Sequence, residues 1–287
     1  MKKNIRIVLT VILAVCLLIT VVGCGQQDTT AGDQKGASTN GQEDTSDTQD
    51  KEASTLDRIK ESGRLVMGTN AEFEPFEYHE MVDGKPQIVG FDIDLSQIIA
   101  DKLGVELVIE DMDFDGLIPA LASKSIDMIA AGMTADEERA KSVNFSESYF
   151  DASQVIIIRE DDDGIKGRED LKGKKLGVQL GTTGDQEASK EDVGAAEVVR
   201  FNKAPEAIED LKTGRIDAVI LDQAPAKAYV SQNEGLIILD EELTQETYSL
   251  ACYKGDDEFT EFLNNVINEI KESGKYDELL EKYGLNE

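Results

Sequence analysis

From residue 56 onward, hydrophobic and polar positions follow two periods in turn. Short apolar runs that read as strands are separated by stretches with apolar residues three and four apart, which read as helices. Arg64-Leu65-Val66-Met67-Gly68 predicts a first strand. Residues 77–88 predict a hairpin around Asp83-Gly84, a favoured two-residue turn. Asp94 is expected to cap a helix with Leu95, Ile98, Ile99 and Leu103 on one face and Gly104 as its stop. Residues 105–109 and 126–131 read as strands, with a helix over 116–124 between them. The alternation resumes with strands at 175–179, 197–201 and 216–221 and a helix at 205–213. A last helix carries Phe259, Phe262, Leu263, Val266, Ile267 and Ile270 as one amphipathic stripe. Strands separated by helices predict an α/β fold of mostly parallel sheets covered on both faces. The helix end, turn and strand at 120–127 have an echo at 209–217, which either two similar α/β lobes or chance likeness of common turns would produce.

The first 55 residues follow neither period. Lys2, Lys3 and Arg6 precede an apolar run over 7–22 and then small residues. This is a secretory signal pattern, and the run is short for a membrane span that continues into flanking charges. Residues 25–55 are Gln, Asp, Thr, Gly and Ser without an aromatic side chain, too polar to offset chain entropy by burial. They read as a flexible tether with a reach of roughly 30 Å.

Composition narrows the function. Lys and Arg total 29 against 59 Asp and Glu, a formal charge of −30. Such a polyanion repels phosphate backbones, which excludes nucleic acid as a partner. The one histidine, His79, excludes any site built on two, and it reads as a solvated loop residue. Cys16, Cys24 and Cys252 contain no CxxC spacing, so neither thiolate zinc nor dithiol redox chemistry is expected, and no metal or cofactor is assigned. Cys252 reads as a small buried hydrophobe in an apolar strand.

Seven collinear motifs carry a family resemblance. They are Gly68-Thr69-Asn70-Ala71-Glu72-Phe73-Glu74-Pro75-Phe76-Glu77-Tyr78; Gly90-Phe91-Asp92-Ile93-Asp94-Leu95; Phe114-Asp115-Gly116-Leu117-Ile118-Pro119-Ala120-Leu121; Ala131-Gly132-Met133-Thr134 with Glu138-Arg139; Val143-Asn144-Phe145-Ser146; Gly177-Val178-Gln179-Leu180-Gly181-Thr182-Thr183-Gly184; and Asp217-Ala218-Val219-Ile220-Leu221-Asp222. With these, residues 56–284 resemble the polar amino-acid branch of the bacterial extracellular solute-binding proteins, the receptors of ABC importers. Val21-Val22-Gly23-Cys24 resembles the bacterial lipobox, where the peptide is cut before a cysteine that receives diacylglycerol; an uncleaved N-terminal anchor is the alternative.

The resemblance implies the two-lobed periplasmic-binding-protein fold, joined by two crossover strands that close around a ligand. The expected organisation is signal peptide 1–23, lipid-anchored tether 24–55, first part of lobe 1 at 56–150, lobe 2 at 151–245 and the return to lobe 1 at 246–287. It also implies a monomer that binds a free L-amino acid, serves ABC importer permease subunits, and meets the outer face of the cell membrane, or the periplasm, only through its lipid on Cys24.

An amino acid offers a carboxylate, an ammonium and a side chain. By resemblance Arg139 would grip the carboxylate, with amides of Met133, Thr134, Thr182 and Thr183 near it. Thr134 and Thr183 are read where chain enters a helix, a place that ordinary capping also explains. Asp222, at a strand end, and the Gly132 carbonyl would meet the ammonium; capping the next helix is the other role open to Asp222. Phe73 and Phe114 would sandwich the side chain, and Asn70, Glu72 and Gln179 would reach its distal end. The Gln179 loop looks like that of arginine receptors, whereas Asn70 stands where many receptors for basic amino acids carry aspartate. Arginine is expected first and lysine next, with cystine and glutamine open. No fixed cation is expected at the distal end. A dehydratase-like enzyme on the same fold and a detached sensor domain are the competing readings.

Overall fold

The Ser54 side chain accepts the Asp57 amide at 3.2 Å and so caps α1 (Thr55–Ser62). The folded body therefore takes in the last two residues of the expected tether, 54 and 55. The computed structural model describes residues 54–286, all within the unit Lys51–Glu287 of the chain. The signal segment, Cys24 and residues 25–53 of the tether lie outside the described residues.

After α1 come β1 (Arg64–Thr69), β2 (Glu72–Phe73), β3 (Glu77–Val82), β4 (Lys85–Val89), α2 (Phe91–Leu103), β5 (Glu106–Asp111), α3 (Leu117–Ala122), β6 (Met128–Ile129) and β7 (Val143–Ala152). A second set follows: β8 (Gln154–Arg159), β9 (Lys175–Gln179), α4 (Thr183–Ala188), β10 (Glu197–Phe201), α5 (Ala204–Lys212), β11 (Ala218–Asp222), α6 (Gln223–Gln232) and β12 (Leu236–Ile238). β13 (Glu246–Tyr253), α7 (Asp257–Glu272) and α8 (Lys275–Lys282) complete the chain.

The strands form two five-stranded sheets, ordered β5-β1-β6-β13-β7 and β10-β9-β11-β8-β12, and a small sheet β2-β3-β4. Each large sheet is mixed rather than mostly parallel. β1 pairs in parallel with β5 and β6, and β9 with β10 and β11, as their crossover helices require. β13 and β8 arrive from the opposite sheet without such a helix, and both pair antiparallel with their neighbours. The two passages between sheets lie side by side. Gln154 donates its amide to Thr244 Oγ1 at 2.9 Å, and Leu243 donates to the Gln154 carbonyl at 2.8 Å.

The second sheet is buried on both faces, and its strands show why. In β8, Val155 and Ile157 join one apolar cluster while Ile156 and Ile158 join another. In β11, Val219 and Leu221 split from Ala218 and Ile220 in the same way. A period of two with apolar residues at every position has no face left for water. On α7 the buried side chains are Phe259, Leu263, Val266, Ile267 and Ile270, with Phe262 of the expected stripe only partly buried beside them.

Three local expectations are corrected. α2 starts at Phe91, with Gly90 at φ 140° as its N-cap; Asp94 instead receives Lys282 Nζ at 2.5 Å and Tyr283 Oη at 3.0 Å. The strand expected at 126–131 shrinks to Met128–Ile129, because Asp127 turns its carboxylate onto the Val66 amide at 2.9 Å and the chain bends at Gly132, φ 50°. His79 lies within β3, not in a loop, with Nε2 3.2 Å from Asp111 Oδ2.

Candidate functional site

Between the two large sheets lies a narrow cavity, closed down to about 10 Å³ of free volume. Ten of the twelve expected ligand-contacting residues line it: Asn70, Phe73, Phe114, Gly132, Thr134, Arg139, Gln179, Thr182, Thr183 and Asp222. Glu77 and Ala131 complete the lining.

Arg139 opens a short 3₁₀ turn, where Asp136 Oδ1 accepts its amide at 2.7 Å. Its guanidinium is buried and donates to the Thr134 carbonyl at 2.8 Å and to the Gly181 carbonyl at 3.0 Å. It also covers the Phe114 ring, 5.4 Å from the centroid. Burial lowers the Arg139 pKa, and the charges of Asp136, Asp222 and Glu246 oppose that shift. Thr134 does not lead into a helix as expected. It bridges to Tyr248, and its hydroxyl donates to Glu246 Oε2 at 2.6 Å. Thr182, by contrast, is the N-cap of α4 and accepts the Asp185 amide at 3.3 Å, which leaves Thr183 as the first helical residue.

Asp222 closes β11 and stands at the N-cap position of α6, yet its side chain makes no capping bond. Its Oδ1 instead accepts the Tyr248 hydroxyl at 2.5 Å. Burial pushes its pKa up to about 7, helped by the nearby Glu246 and opposed by the Tyr248 hydrogen bond and Arg139. Gly132 presses against Phe73: a Cβ there would meet the Phe73 ring at 2.6 Å, and φ is 50°, so only glycine fits.

At the other end of the cavity two amides meet. Gln179 Nε2 donates to Asn70 Oδ1 at 2.8 Å and to the Asn202 carbonyl at 3.1 Å, and Asn70 Nδ2 donates to the Met112 carbonyl at 2.7 Å. Together with Arg139–Gly181 and Tyr248–Asp222, the Asn70–Gln179 contact joins the lobes in a closed arrangement.

Two expected residues stay outside the cavity. Glu72 is held by Lys203, Nζ to Oε1 at 2.9 Å, and its carbonyl accepts the Tyr229 hydroxyl at 2.5 Å. Met133 is buried in the core packed on the first sheet, and its carbonyl accepts the Ser249 amide at 3.0 Å. Lys203, the partner of Glu72, is likewise absent from the cavity lining. Sequence reasoning missed Lys203, Glu246 and Tyr248 because they lie outside the quoted motifs. The clue for Lys203 was its place directly before the helix Ala204–Lys212, at the end of a strand whose tip faces the cleft.

Known proteins supply the comparison. The arginine-binding extracellular protein ArtP of Bacillus subtilis (strain 168) is 36% identical over 234 residues, which cover 79% of this chain and 89% of that protein. The arginine-bound form of truncated ArgBP from T. maritima is 50% identical, with a TM-score of 0.70 over 75% of this chain and 99% of that one. An ancestral arginine-binding protein bound to glutamine is 46% identical, with a TM-score of 0.73 over 78% and 99%. Residues 65–286 match the model of the bacterial extracellular solute-binding proteins, family 3. With that match, and with two sheets closed over one small polar cavity, the chain belongs to the bacterial extracellular solute-binding proteins, family 3.

Proposed function

We propose that this chain is an extracytoplasmic receptor that binds one free L-amino acid with a long polar side chain, arginine first, and delivers it to an ABC importer. The observation that carries this reading is the pairing of opposite charges in one small cavity. Arg139 belongs to the first lobe and Asp222 to the second, both are buried, and both line the same space. A zwitterion needs a guanidinium for its carboxylate and an anion for its ammonium. Phe73 and Phe114 offer apolar surface for the stem, and Asn70 and Gln179 offer amide oxygens to a distal guanidinium.

The two amides also favour a second reading, glutamine or cystine. Asn70 and Gln179 bring no charge to the distal end, and Glu72 lies outside the cavity lining, paired with Lys203, so an amide side chain would pair with amides without a charge to neutralise. A thermal-shift panel of the common amino acids with cystine and ornithine separates these readings. A receptor that closes on its ligand gains about 2.7 kcal/mol at one hundred times Kd. Arginine raising Tm most supports the first reading; glutamine or cystine leading supports the second; no amino acid shifting Tm overturns both. The reading further includes a monomer held at the membrane by lipid on Cys24, a residue outside those described.

A further inference from the structure

Below the Gly132 segment lies a buried acidic pair that zwitterion binding does not require. Glu77 is the first residue of β3, is 1% exposed and lines the cavity. Asp92 lies in the first turn of α2 and is fully buried. Asp92 Oδ2 accepts the Gly132 amide at 2.9 Å and the Tyr149 hydroxyl at 2.7 Å. Asp92 Oδ1 and Glu77 Oε2 are both buried and receive no N–H or O–H from another described residue. The backbone brings the two residues together, since the Asp92 amide donates at 2.9 Å to the carbonyl of Phe76, the residue before Glu77. Two ionised carboxylates contain no donor, so a proton between them would give each of these buried oxygens a partner.

We infer that Glu77 and Asp92 share one proton and act as a positioning unit, in which protonated Glu77 donates to Asp92 Oδ1 and the remaining charge fixes the Gly132 amide. The inference rests on the amino-acid reading of the cavity, in which the Gly132 carbonyl meets the ligand ammonium. Gly132 needs an anchor, because its positive φ and its contact with the Phe73 ring leave little room to adjust. The surroundings dictate where the proton stays. The charges acting on Glu77 are Asp92, Asp222 and Asp111, all acidic, and burial with these neighbours raises its pKa well above the usual carboxylate range. Asp92 is pushed to about 7 by burial, while the Gly132 amide and the Tyr149 hydroxyl favour its ionised form. A neutral Glu77 leaves Asp222 as the full negative charge of the cavity wall, so the ammonium meets one anion and the wall avoids repulsion among three.

Two measurements test this unit. The first is the infrared spectrum of ligand-free wild type and E77Q at about pH 8.5, above the range in which Asp222 titrates. A protonated-carboxyl band present in the wild type and lost in E77Q is expected; its absence from the wild type overturns the pair. The second is arginine binding by calorimetry. E77A, which leaves Asp92 Oδ1 buried without a donor, should weaken arginine by about tenfold or more, and E77Q, whose amide can donate in place of the acid, should recover most of that loss. E77Q as weak as E77A overturns the pair, because it would make Glu77 an ionised partner of the ammonium. The infrared arm needs no ligand and no truncated side chain, so it decides the pair even if E77A fails to fold or no amino acid binds. Tight arginine binding without the band sinks the pair and leaves the receptor reading intact.

Discussion

The Tyr248 hydroxyl and Asp222 Oδ1 lie 2.5 Å apart, a bond that ties β13 of the first sheet to β11 of the second. Tyr248 is 1% exposed and its ring packs 5.1 Å from that of Phe76. Its hydroxyl therefore reaches the carboxylate from a fixed position. A hydrogen bond to a charged group contributes about 1.5–3 kcal/mol. Y248F keeps the ring and removes the donor. Ligand affinity at neutral pH should fall by about tenfold or more, as read by calorimetry. Unchanged affinity would show that closure does not use this bond.

Asp222 also sets a pH dependence. Its carboxyl titrates at about 7 in the closed, ligand-free protein, against about 3.9 for an unfolded aspartate. A carboxyl raised in the folded state contributes stability below the ordinary carboxylate range and loses it as pH climbs through about 7. Asp92, also near 7, adds to the same trend. An ammonium beside Asp222 favours ionisation, so binding should release protons below about pH 7 and affinity should weaken as pH falls through that range. Calorimetry in buffers of different ionisation enthalpy counts those protons. Proton uptake on binding, or a flat profile from pH 5 to 8, would contradict the role given to Asp222.

R139A removes the buried guanidinium that faces the ligand carboxylate in the proposed mode. Losing one partner of a desolvated charge pair costs about 2–5 kcal/mol. Every amino-acid ligand should weaken by at least tenfold, without a change in preference among them. A loss confined to one ligand would mean that Arg139 reads the side chain instead.

Lys203 and Glu72 form a partly exposed ion pair outside the cavity lining, with side chains 39% and 30% accessible. Such pairs contribute little to stability, about 0–1 kcal/mol. K203M should therefore leave Tm nearly unchanged while freeing Glu72. The ratio of arginine to glutamine affinity should rise by roughly threefold, the effect of a fraction of a kcal/mol. Competition binding measures the ratio, and a fall would show that the ammonium does not screen Glu72.

C24A tests the anchor. The variant protein should leave the membrane fraction or keep its precursor mass; a wild-type mass and unchanged retention would exclude lipid on Cys24.

Periodicity made most of the fold legible. Strands 175–179 and 197–201 match their expected ends because Gly and polar residues bracket each run, and the Asp83-Gly84 turn has the positive φ values, 52° and 75°, that its sequence demands. What periodicity missed came from tertiary demands. Asp127 reads as a strand residue until its carboxylate caps the edge of β1, and Asp94 reads as a helix cap until the C-terminal Lys282 and Tyr283 arrive. At the site, the motifs marked residues that line the cavity, but not which were already engaged elsewhere. Nothing local to Glu72 announces Lys203, which is 131 positions away. Nor does the pattern around Glu77 disclose that the charges acting on it, from Asp92, Asp222 and Asp111, are all acidic.

The place of β13 in the first sheet has a consequence for the order in which the protein can be built. β13 lies between β6 and β7, and it is the strand against which β7 pairs. Residues 154–238 can complete their own sheet as a continuous segment, whereas the first sheet stays open until residues 246–253 arrive. α7, which packs on β7, comes later still. A nascent chain that stops before Glu246 therefore holds half of the cavity wall on a finished lobe and the other half on an unclosed one, with β6 as an exposed edge and β7 without the strand it pairs with. Ligand competence, in this topology, is among the last properties the growing chain acquires.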